Sequence, residues 1–149
     1  MSMEMINRLL LLSFMIVTAF QDLKTKSVST WIFWSVGGAE LVLGWMNGSF
    51  AEAGLLERAG SMGIGVLLLA LARLSGGSIG EGDGCFLLIT GMVFGFWNNL
   101  ALLLYGLLFC SCFSLGLVLW GFVLHVDMRK KTVPFLPFLL PAGIWMVML

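Results

Sequence analysis

Charged residues are scarce in this sequence. Asp, Glu, Lys and Arg make up 11% of its 149 residues, apolar residues make up 60%, and the mean hydropathy is +1.04. Soluble domains are about half apolar and about a quarter charged. The composition therefore predicts an all-α polytopic membrane protein, with the lipid bilayer as its first partner. Because the net charge is +0 and no basic face is present, we expect no nucleic-acid partner.

Residues that bind metals are equally few. The chain has one histidine, His125, and three cysteines without a CxxC spacing, Cys85, Cys110 and Cys112. Zinc sites need several Cys or His ligands at defined spacings. We therefore expect no metal and no cofactor, and we interpret the cysteines as buried small apolar residues. His125 is interpreted as an interfacial polar residue, because no nucleophile is assigned to it.

A cleavable signal peptide is also missing from the pattern. The first residues include Glu4 and Arg8, and no A-x-A cleavage pattern follows Phe20. The first apolar run is therefore expected to stay in the protein as a membrane helix. We expect residues 1–149 to form a single transmembrane domain.

Six apolar segments predict about six transmembrane helices. At about 1.5 Å per residue the fourth is about 21 Å long and the fifth about 37 Å, against a hydrocarbon core of about 30 Å. The fourth must therefore be short or thin its membrane locally, and the fifth must tilt or protrude. The segments run from Met5 to Phe20, Val28 to Met46, Ala59 to Leu74, Gly84 to Trp97, Leu100 to Leu124 and Val133 to Leu149.

Basic residues set the expected orientation of these helices. Two of the eight, Arg8 and Arg58, fall on one side of a six-helix topology, and the other six fall on the opposite side. The positive-inside rule makes the second side cytoplasmic, so we expect a multi-pass protein of the inner (cytoplasmic) membrane with both termini outside. Glu40 lies at a depth similar to that of Arg8, and we expect the two to form an ion pair. The six cytoplasmic residues are Lys24, Lys26, Arg73, Arg129, Lys130 and Lys131.

The most informative stretch is Gly80-Glu81-Gly82-Asp83, which lies where a short loop meets a new apolar segment. A carboxylate at the edge of a hydrocarbon layer is costly, so Asp83 is a functional candidate. The alternative is that Asp83 only caps the next helix, because Asp is a preferred N-cap residue. A phosphate-binding loop is excluded, because the residues that follow are not the Lys and Ser/Thr that a P-loop needs.

A second acidic residue, Asp22, has an equivalent place just after the first apolar helix. Taken alone, Asp22 is equally well explained as an interfacial anchor. Six helices can, however, bring Asp22 and Asp83 together at the cytoplasmic face. Two carboxyl groups a few ångströms apart cannot both ionise easily, so one keeps a proton. Aspartic proteases use this arrangement: the ionised group activates a water, and the protonated group polarises the peptide carbonyl.

The three prolines of the chain, Pro134, Pro137 and Pro141, lie together at the start of the last apolar segment. Proline removes an amide donor and disturbs regular helix. Irregular backbone at membrane depth is tolerated only where protein or water covers it. The stretch therefore either borders a cavity or forms an ordinary kinked helix start.

Three features together resemble the type IV prepilin peptidases and the related preflagellin peptidases, which are GxGD membrane aspartyl proteases. They are Asp22 followed by a basic polar turn, the Gly80-x-Gly82-Asp83 motif, and the Pro-Phe-x-Pro-Phe stretch from Pro134 to Phe138. The resemblance covers nearly the whole chain and implies the GxGD aspartyl protease fold. It also implies that Asp22 and Asp83 are the catalytic aspartates and that Gly80 and Gly82 belong to the active-site loop.

The resemblance implies an endopeptidase that removes short basic leader peptides from pilin-like precursors at the cytoplasmic membrane face. Such a precursor is then the expected substrate and partner. Glu81 and Asp127 are candidate contacts for the basic leader, and Pro134, Phe135 and Pro137 are further candidate substrate contacts. Larger family members also carry an amino-terminal domain with paired cysteines and a methyltransferase activity. This chain resembles the short form, so we expect peptidase activity without methylation.

The sequence departs from the family pattern at two places. After the first aspartate the family often has Ile-Pro-Asn, where this chain has Val28-Ser29-Thr30; after the second it often has Val-Lys, where this chain has Gly84-Cys85. Neither change touches the carboxylates, but both bear on substrate choice. Two other functions stay open: a small ion- or proton-coupled membrane transporter, and an inactive pilus-assembly factor with the peptidase fold.

Overall fold

The structure, a computed structural model, describes residues 3–25, 28–46, 55–76, 80–125 and 133–148. Within these residues the chain is helical and contains no strand, in agreement with the predicted all-α class. We number the described helices α1 (Met3–Thr25), α2 (Thr30–Met46), α3 (Leu55–Leu74), α4 (Glu81–Leu124) and α5 (Leu136–Met148).

Helix α4 is not one straight rod, because it is interrupted at Gly95, whose φ of 77° and ψ of 176° are not helical. Glycine adopts a positive φ at little cost, whereas other residues rarely do. Asn99 Nδ2 donates to the Leu87 carbonyl at 2.9 Å, although a continuous helix would separate these residues by about 18 Å. The chain therefore folds back at Gly95 into two arms, residues 81–94 (the first arm) and 96–124 (the second arm). These arms coincide with the predicted fourth and fifth apolar segments.

Helix α3 packs against the first arm of α4 with its backbone in close approach. A Cβ placed on Gly65 would lie 2.5 Å from the Leu88 amide nitrogen, and one placed on Gly84 would lie 2.8 Å from the Leu69 nitrogen. Positions 65 and 69 thus face positions 88 and 84 in reverse order, so the two helices are antiparallel. The missing side chains are what allow this contact.

Three fully buried polar residues hold the α4 hairpin against α3; we call Ser61, Thr90 and Asn99 the hairpin cluster. Asn99 Nδ2 donates to the Ser61 carbonyl at 3.3 Å, and Asn99 Oδ1 accepts from the Thr90 hydroxyl at 2.8 Å. The Ser61 hydroxyl donates to the Gly91 carbonyl at 2.6 Å. Because a buried polar group is costly unless it is hydrogen-bonded, these bonds favour the folded-back arrangement.

Aromatic packing joins α1, α2 and the first arm of α4. The Phe14 ring stacks on Phe86 with 5.4 Å between centroids, and it meets Phe33 edge-on at 5.9 Å. All three side chains belong to the buried apolar core. This packing places the first arm of α4 beside α1.

Helix α5 lies against α1 and runs antiparallel to it. Gly143 leaves room for the Met15 side chain, and the Leu136 amide donates to Asp22. Residues later in α1 therefore meet residues earlier in α5. The first turn of α5 is consequently held at the carboxyl-terminal end of α1.

Large apolar side chains cover much of the molecular surface, including three tryptophans of α2. Among the residues that the structure describes, two helical stretches, Met5–Thr25 and Glu81–Val123, are long and apolar enough to cross a membrane, and the second comprises both arms of α4. Ala59–Leu74 and Leu136–Met148 are shorter apolar helices. Extended exposed apolar surface marks an interaction site, and for this composition lipid is the fitting environment. The tryptophans are Trp31, Trp34 and Trp45.

The predicted end of the first helix at Phe20 is wrong, because α1 continues to Thr25. Hydropathy falls at Gln21, but a polar residue at the end of an apolar run does not prevent a helix from continuing. Asp22 therefore lies in the last turn of α1 and not in the following loop. Its side-chain direction is fixed by a helix.

The predicted ion pair between Glu40 and Arg8 is also wrong. Arg8 Nη1 donates to the Val147 carbonyl at 3.1 Å. The buried Glu40 carboxylate instead meets Asn7: with its amide nitrogen turned toward the carboxylate, Asn7 donates to Oε1 at 3.2 Å and also contacts Oε2. Successive residues of a helix point about 100° apart, so Asn7 and Arg8 lie at nearly the same depth but on different faces of α1. Asn7 meets Glu40 of α2, whereas Arg8 points toward α5.

The interpretation of all three cysteines as buried is wrong for one of them. Cys85 and Cys110 are partly buried, but Cys112 is exposed. Cys112 lies on the second arm of α4, which presents much of its apolar surface outward. In a membrane protein an apolar residue type need not point into the protein.

Candidate active site

Asp22 is a buried carboxyl group at the end of α1, with 9% of its surface exposed. Its Oδ2 accepts a hydrogen bond from the Leu136 backbone amide at 3.1 Å. The neighbouring Phe135 amide also interacts with this carboxyl group. Asp22 thus binds amides at the start of another helix, α5, and its partner Leu136 lies 114 positions later in the chain.

The sequence around the start of α5 explains why its amides are available. The first amides of a helix have no carbonyl partner within that helix. Pro134 and Pro137 have no amide hydrogen at all, and the Phe138 amide is already bonded to the Phe135 carbonyl at 3.0 Å. The amides of Phe135 and Leu136 are therefore the ones that the first turn offers to Asp22.

Asp83 lies in the first turn of α4, three residues after the N-cap, Gly80. Its backbone amide donates to the Gly80 carbonyl at 3.1 Å, while Gly80 has an extended conformation and makes no side-chain cap. The alternative reading of Asp83 as the N-cap residue is therefore wrong. A Cβ on Gly80 would lie 3.1 Å from Asp83 Oδ2, so a side chain at position 80 would crowd the carboxyl group.

The two aspartates belong to one neighbourhood. Asp22 acts electrostatically on the Asp83 carboxyl group. The connection after α1 also reaches the glycine loop, because a Cβ on Gly82 would lie 3.6 Å from Val28 Cγ2. The end of α1 and the start of α4 therefore lie near each other, with the two carboxyl groups close enough to interact electrostatically.

The other predicted site residues have different surroundings. Glu81 is exposed, and its Oε1 lies 3.7 Å from Arg73 Nε across the entrance to α4. Pro134, Phe135 and Pro137 are partly buried around the start of α5. Asp127 lies outside the residues that the structure describes, as do Lys26 and the basic run at residues 129–131.

His125 lies at the end of α4. It is the C-cap of α4 with a left-handed backbone (φ 55°), and its amide bonds back to the Phe122 carbonyl. Its side chain is exposed, as expected for an interfacial residue. Within the described residues, no group of three or more His, Cys, Asp or Glu could hold a metal ion; whether the reaction needs a metal stays a prediction.

Sequence reasoning missed Leu136 and the backbone of Phe135 as partners of Asp22. The contribution comes from amides, which no residue type identifies. The available signal was the spacing of the prolines, which leaves two donors between Pro134 and Pro137. Sequence reasoning used those prolines to predict irregular backbone, not to identify the amides between them.

The fold and the site define an apolar helical protein that brings two aspartates together where α1 ends and α4 begins. The sequence profile of the Type IV leader peptidase family matches residues 9–115, a range that contains both aspartates. The chain therefore belongs to the Type IV leader peptidase family, which confirms the resemblance. Membership makes it a membrane-embedded protease and implies leader peptidase activity on type IV pilins in general.

The family match ends before α5, so the contact between Asp22 and the first turn of α5 is a finding of the structure alone. No curated protein and no solved structure matches the chain significantly.

Proposed function

We propose that this protein is an aspartic endopeptidase that removes the leader peptide from type IV pilin-like precursors, with Asp22 and Asp83 as its catalytic pair. The observation that carries the proposal is that the charge of Asp22, at the end of α1, acts on the Asp83 carboxyl group at the start of α4, beside a loop in which Gly80 leaves room for Asp83. Such a pair needs neither a nucleophilic side chain nor a metal.

The proposed reaction begins with a water bound between the two carboxyl groups. The ionised carboxylate takes a proton from the water as its oxygen attacks the peptide carbonyl, and the protonated carboxyl group gives its proton to the carbonyl oxygen. In the second half the first group returns its proton to the leaving nitrogen, the C–N bond breaks, and the second group recovers a proton from the diol. The pair then returns to its starting state.

We place this reaction at the cytoplasmic membrane face, in a six-span arrangement with both termini outside. Lys24 and Arg73 lie at the same end of the protein as the paired aspartates, since Lys24 is in the last turn of α1 and Arg73 is beside Glu81. Positive residues favour the cytoplasmic side. Pilin-like precursors present a basic leader ahead of an apolar helix, so a site at a membrane boundary fits the bond to be cut.

The exposed Glu81 is a proposed contact for the basic leader. Its carboxylate is paired with Arg73 at 3.7 Å, and both side chains are largely exposed. Exposed ion pairs are weak, so a positive leader residue can replace Arg73 at little cost. Asp127, Pro134, Phe135 and Pro137 stay predictions as further substrate contacts.

The function is tested by cleavage of a pilin-like precursor in liposomes that contain the purified protein. We expect two fragments whose masses place the cut between the basic leader and the apolar helix, with the same rate in the presence of a metal chelator. Asp83→Asn serves as the inactive control. Cleavage by the wild type that persists in Asp83→Asn would contradict the aspartic mechanism, and no cleavage of any precursor would favour the transporter or assembly-factor alternatives.

A further inference from the structure

The active site has a component that lies outside the two aspartate motifs. We infer that the first turn of α5 is a positioning element of the catalytic site: the Phe135 and Leu136 amides hold Asp22 as the ionised, water-activating member of the pair. This inference rests on the proposed function, and it assigns different roles to two residues that the motif treats alike.

The geometry of Asp22 supports its role as the carboxylate. Its Oδ2 accepts the Leu136 amide at 3.1 Å, and the Phe135 amide adds a second interaction. Amide donors stabilise a carboxylate more than a neutral carboxyl group. Both amides act on Asp22 from the start of α5.

Asp83 has different surroundings. It lies in the first turn of its own helix, α4, whereas Asp22 lies in the last turn of α1. Within the part of the chain that the structure describes, no amide donates to the Asp83 carboxyl group, and the Asp83 amide donates to the Gly80 carbonyl. The charge of Asp22 acts on its carboxyl group, and the backbone of Gly80 lies beside its Oδ2. When one proton is shared between the two groups, Asp83 is therefore the one that holds it.

The prolines make this arrangement specific. Pro134 and Pro137 flank the two donors and lack amide hydrogens themselves, so no other amide of the first turn competes for the Asp22 carboxylate. Leu136 is fully buried, which keeps its amide away from water. The start of α5 thus offers a small set of fixed donors to one carboxyl group.

A backbone ester tests the inference without altering any side chain. Leu136→leucic acid, introduced by nonsense suppression, replaces the amide hydrogen that binds Asp22 by an ester oxygen. It also makes the Phe135 carbonyl, which accepts from the Phe138 amide, a weaker acceptor. The matched control is Leu140→leucic acid, which uses the same reagent in the same helix, removes an ordinary intrahelical bond and weakens its preceding carbonyl in the same way. We expect the ester at position 136 to lower kcat about 10- to 100-fold, the range for a lost hydrogen bond to a charged group, with KM within about twofold of the wild type. The ester at position 140 should keep kcat within about threefold.

Carbon-13 labelling of the aspartate carboxyl groups gives a readout that does not need activity. The chain has three aspartates, Asp22, Asp83 and Asp127, and the resonance that disappears in Asp22→Asn belongs to Asp22. We expect the ester at position 136, and not the one at position 140, to move that resonance.

Equal effects of the two esters on kcat, or an Asp22 resonance that the ester at position 136 leaves in place, would overturn the inference. If the wild type cuts no precursor but the Asp22 resonance moves as expected, the contact with α5 stands and the proposed function fails. If the wild type cuts a precursor but the ester at position 136 does not move the Asp22 resonance, the proposed function stands and the role of α5 fails.

Discussion

The paired aspartates and the hairpin cluster are both sets of buried polar groups, but they are built differently. In the hairpin cluster, the Asn99 side chain makes three hydrogen bonds, all to residues of α3 and α4. At the site, the charge of Asp22 acts on the Asp83 carboxyl group, and the amide donors to Asp22 come from the start of α5. A cluster whose bonds are complete stabilises a fold, whereas two acids held together keep a proton available for chemistry.

The largest expected effect on stability falls on the hairpin cluster. Asn99→Ala removes three hydrogen bonds and leaves buried groups without partners, so we expect the free energy of unfolding to fall by about 3 kcal/mol. Asn98→Ala is the matched control, because Asn98 is exposed and bonds only to the Phe94 carbonyl at 3.2 Å among the described residues. Unfolding in mixed micelles measures both, and equal losses would show that the cluster does not hold the hairpin.

The next largest loss of stability is expected at the contact between α3 and the first arm of α4. Gly65→Ala would place a Cβ 2.5 Å from the Leu88 amide nitrogen, so the helices must separate, and we expect a loss of about 2 kcal/mol. Gly63→Ala, two residues away, meets nothing within 4 Å and should not destabilise the protein, because Ala favours helix. If Gly65→Ala is as stable as Gly63→Ala, the described approach of the two backbones is wrong.

A substitution at the site should affect activity more than stability. Gly80→Ala brings a methyl group to 3.1 Å from Asp83 Oδ2, and a small displacement of a catalytic group is costly. We expect kcat to fall about 10-fold while the unfolding free energy changes little. Gly38→Ala on α2, where nothing lies within 4 Å, should leave kcat unchanged. A fall in stability with unchanged kcat per folded molecule would place Gly80 among structural residues.

The smallest effect is expected at Glu40, a buried carboxylate outside the site. Asn7 is its recorded partner, and a side-chain amide can bond equally well to the neutral isostere. Glu40→Gln should therefore keep cleavage within about twofold and stability within about 1 kcal/mol. Loss of cleavage in this folded variant would show that the chemistry needs a carboxylate beyond the pair.

The sequence was sufficient for the elements that depend on residue type. Asp22, Gly80 and Asp83 could be selected because carboxylates and glycines are unusual at the edge of apolar segments. The apolar segments themselves coincide with helical stretches, since a long apolar run has few other structures in a membrane. Whether each stretch crosses the bilayer stays a prediction.

The features that depend on how helices are rotated against each other were not predictable in this way. Arg8 and Asn7 are neighbours in sequence, yet only packing decides that Asn7 meets Glu40. Nothing in the sequence separates Gly95 from the other glycines of the apolar segments, whereas its positive φ makes it the point where α4 reverses. The donors to Asp22 are backbone amides, and the residue type at a position does not identify a backbone donor.

The central claim is that Asp22 and Asp83 perform the cleavage together. The direct measurement is cleavage of a pilin-like precursor by the wild type, Asp22→Asn, Asp83→Asn and the control Glu57→Gln, with the folded fraction of each determined by the same unfolding assay. We expect each aspartate variant to lose at least about 100-fold in kcat, the contribution of general acid or base catalysis, while Glu57→Gln cuts as the wild type does. A well-folded variant of either aspartate that still cuts at the wild-type rate would contradict the claim.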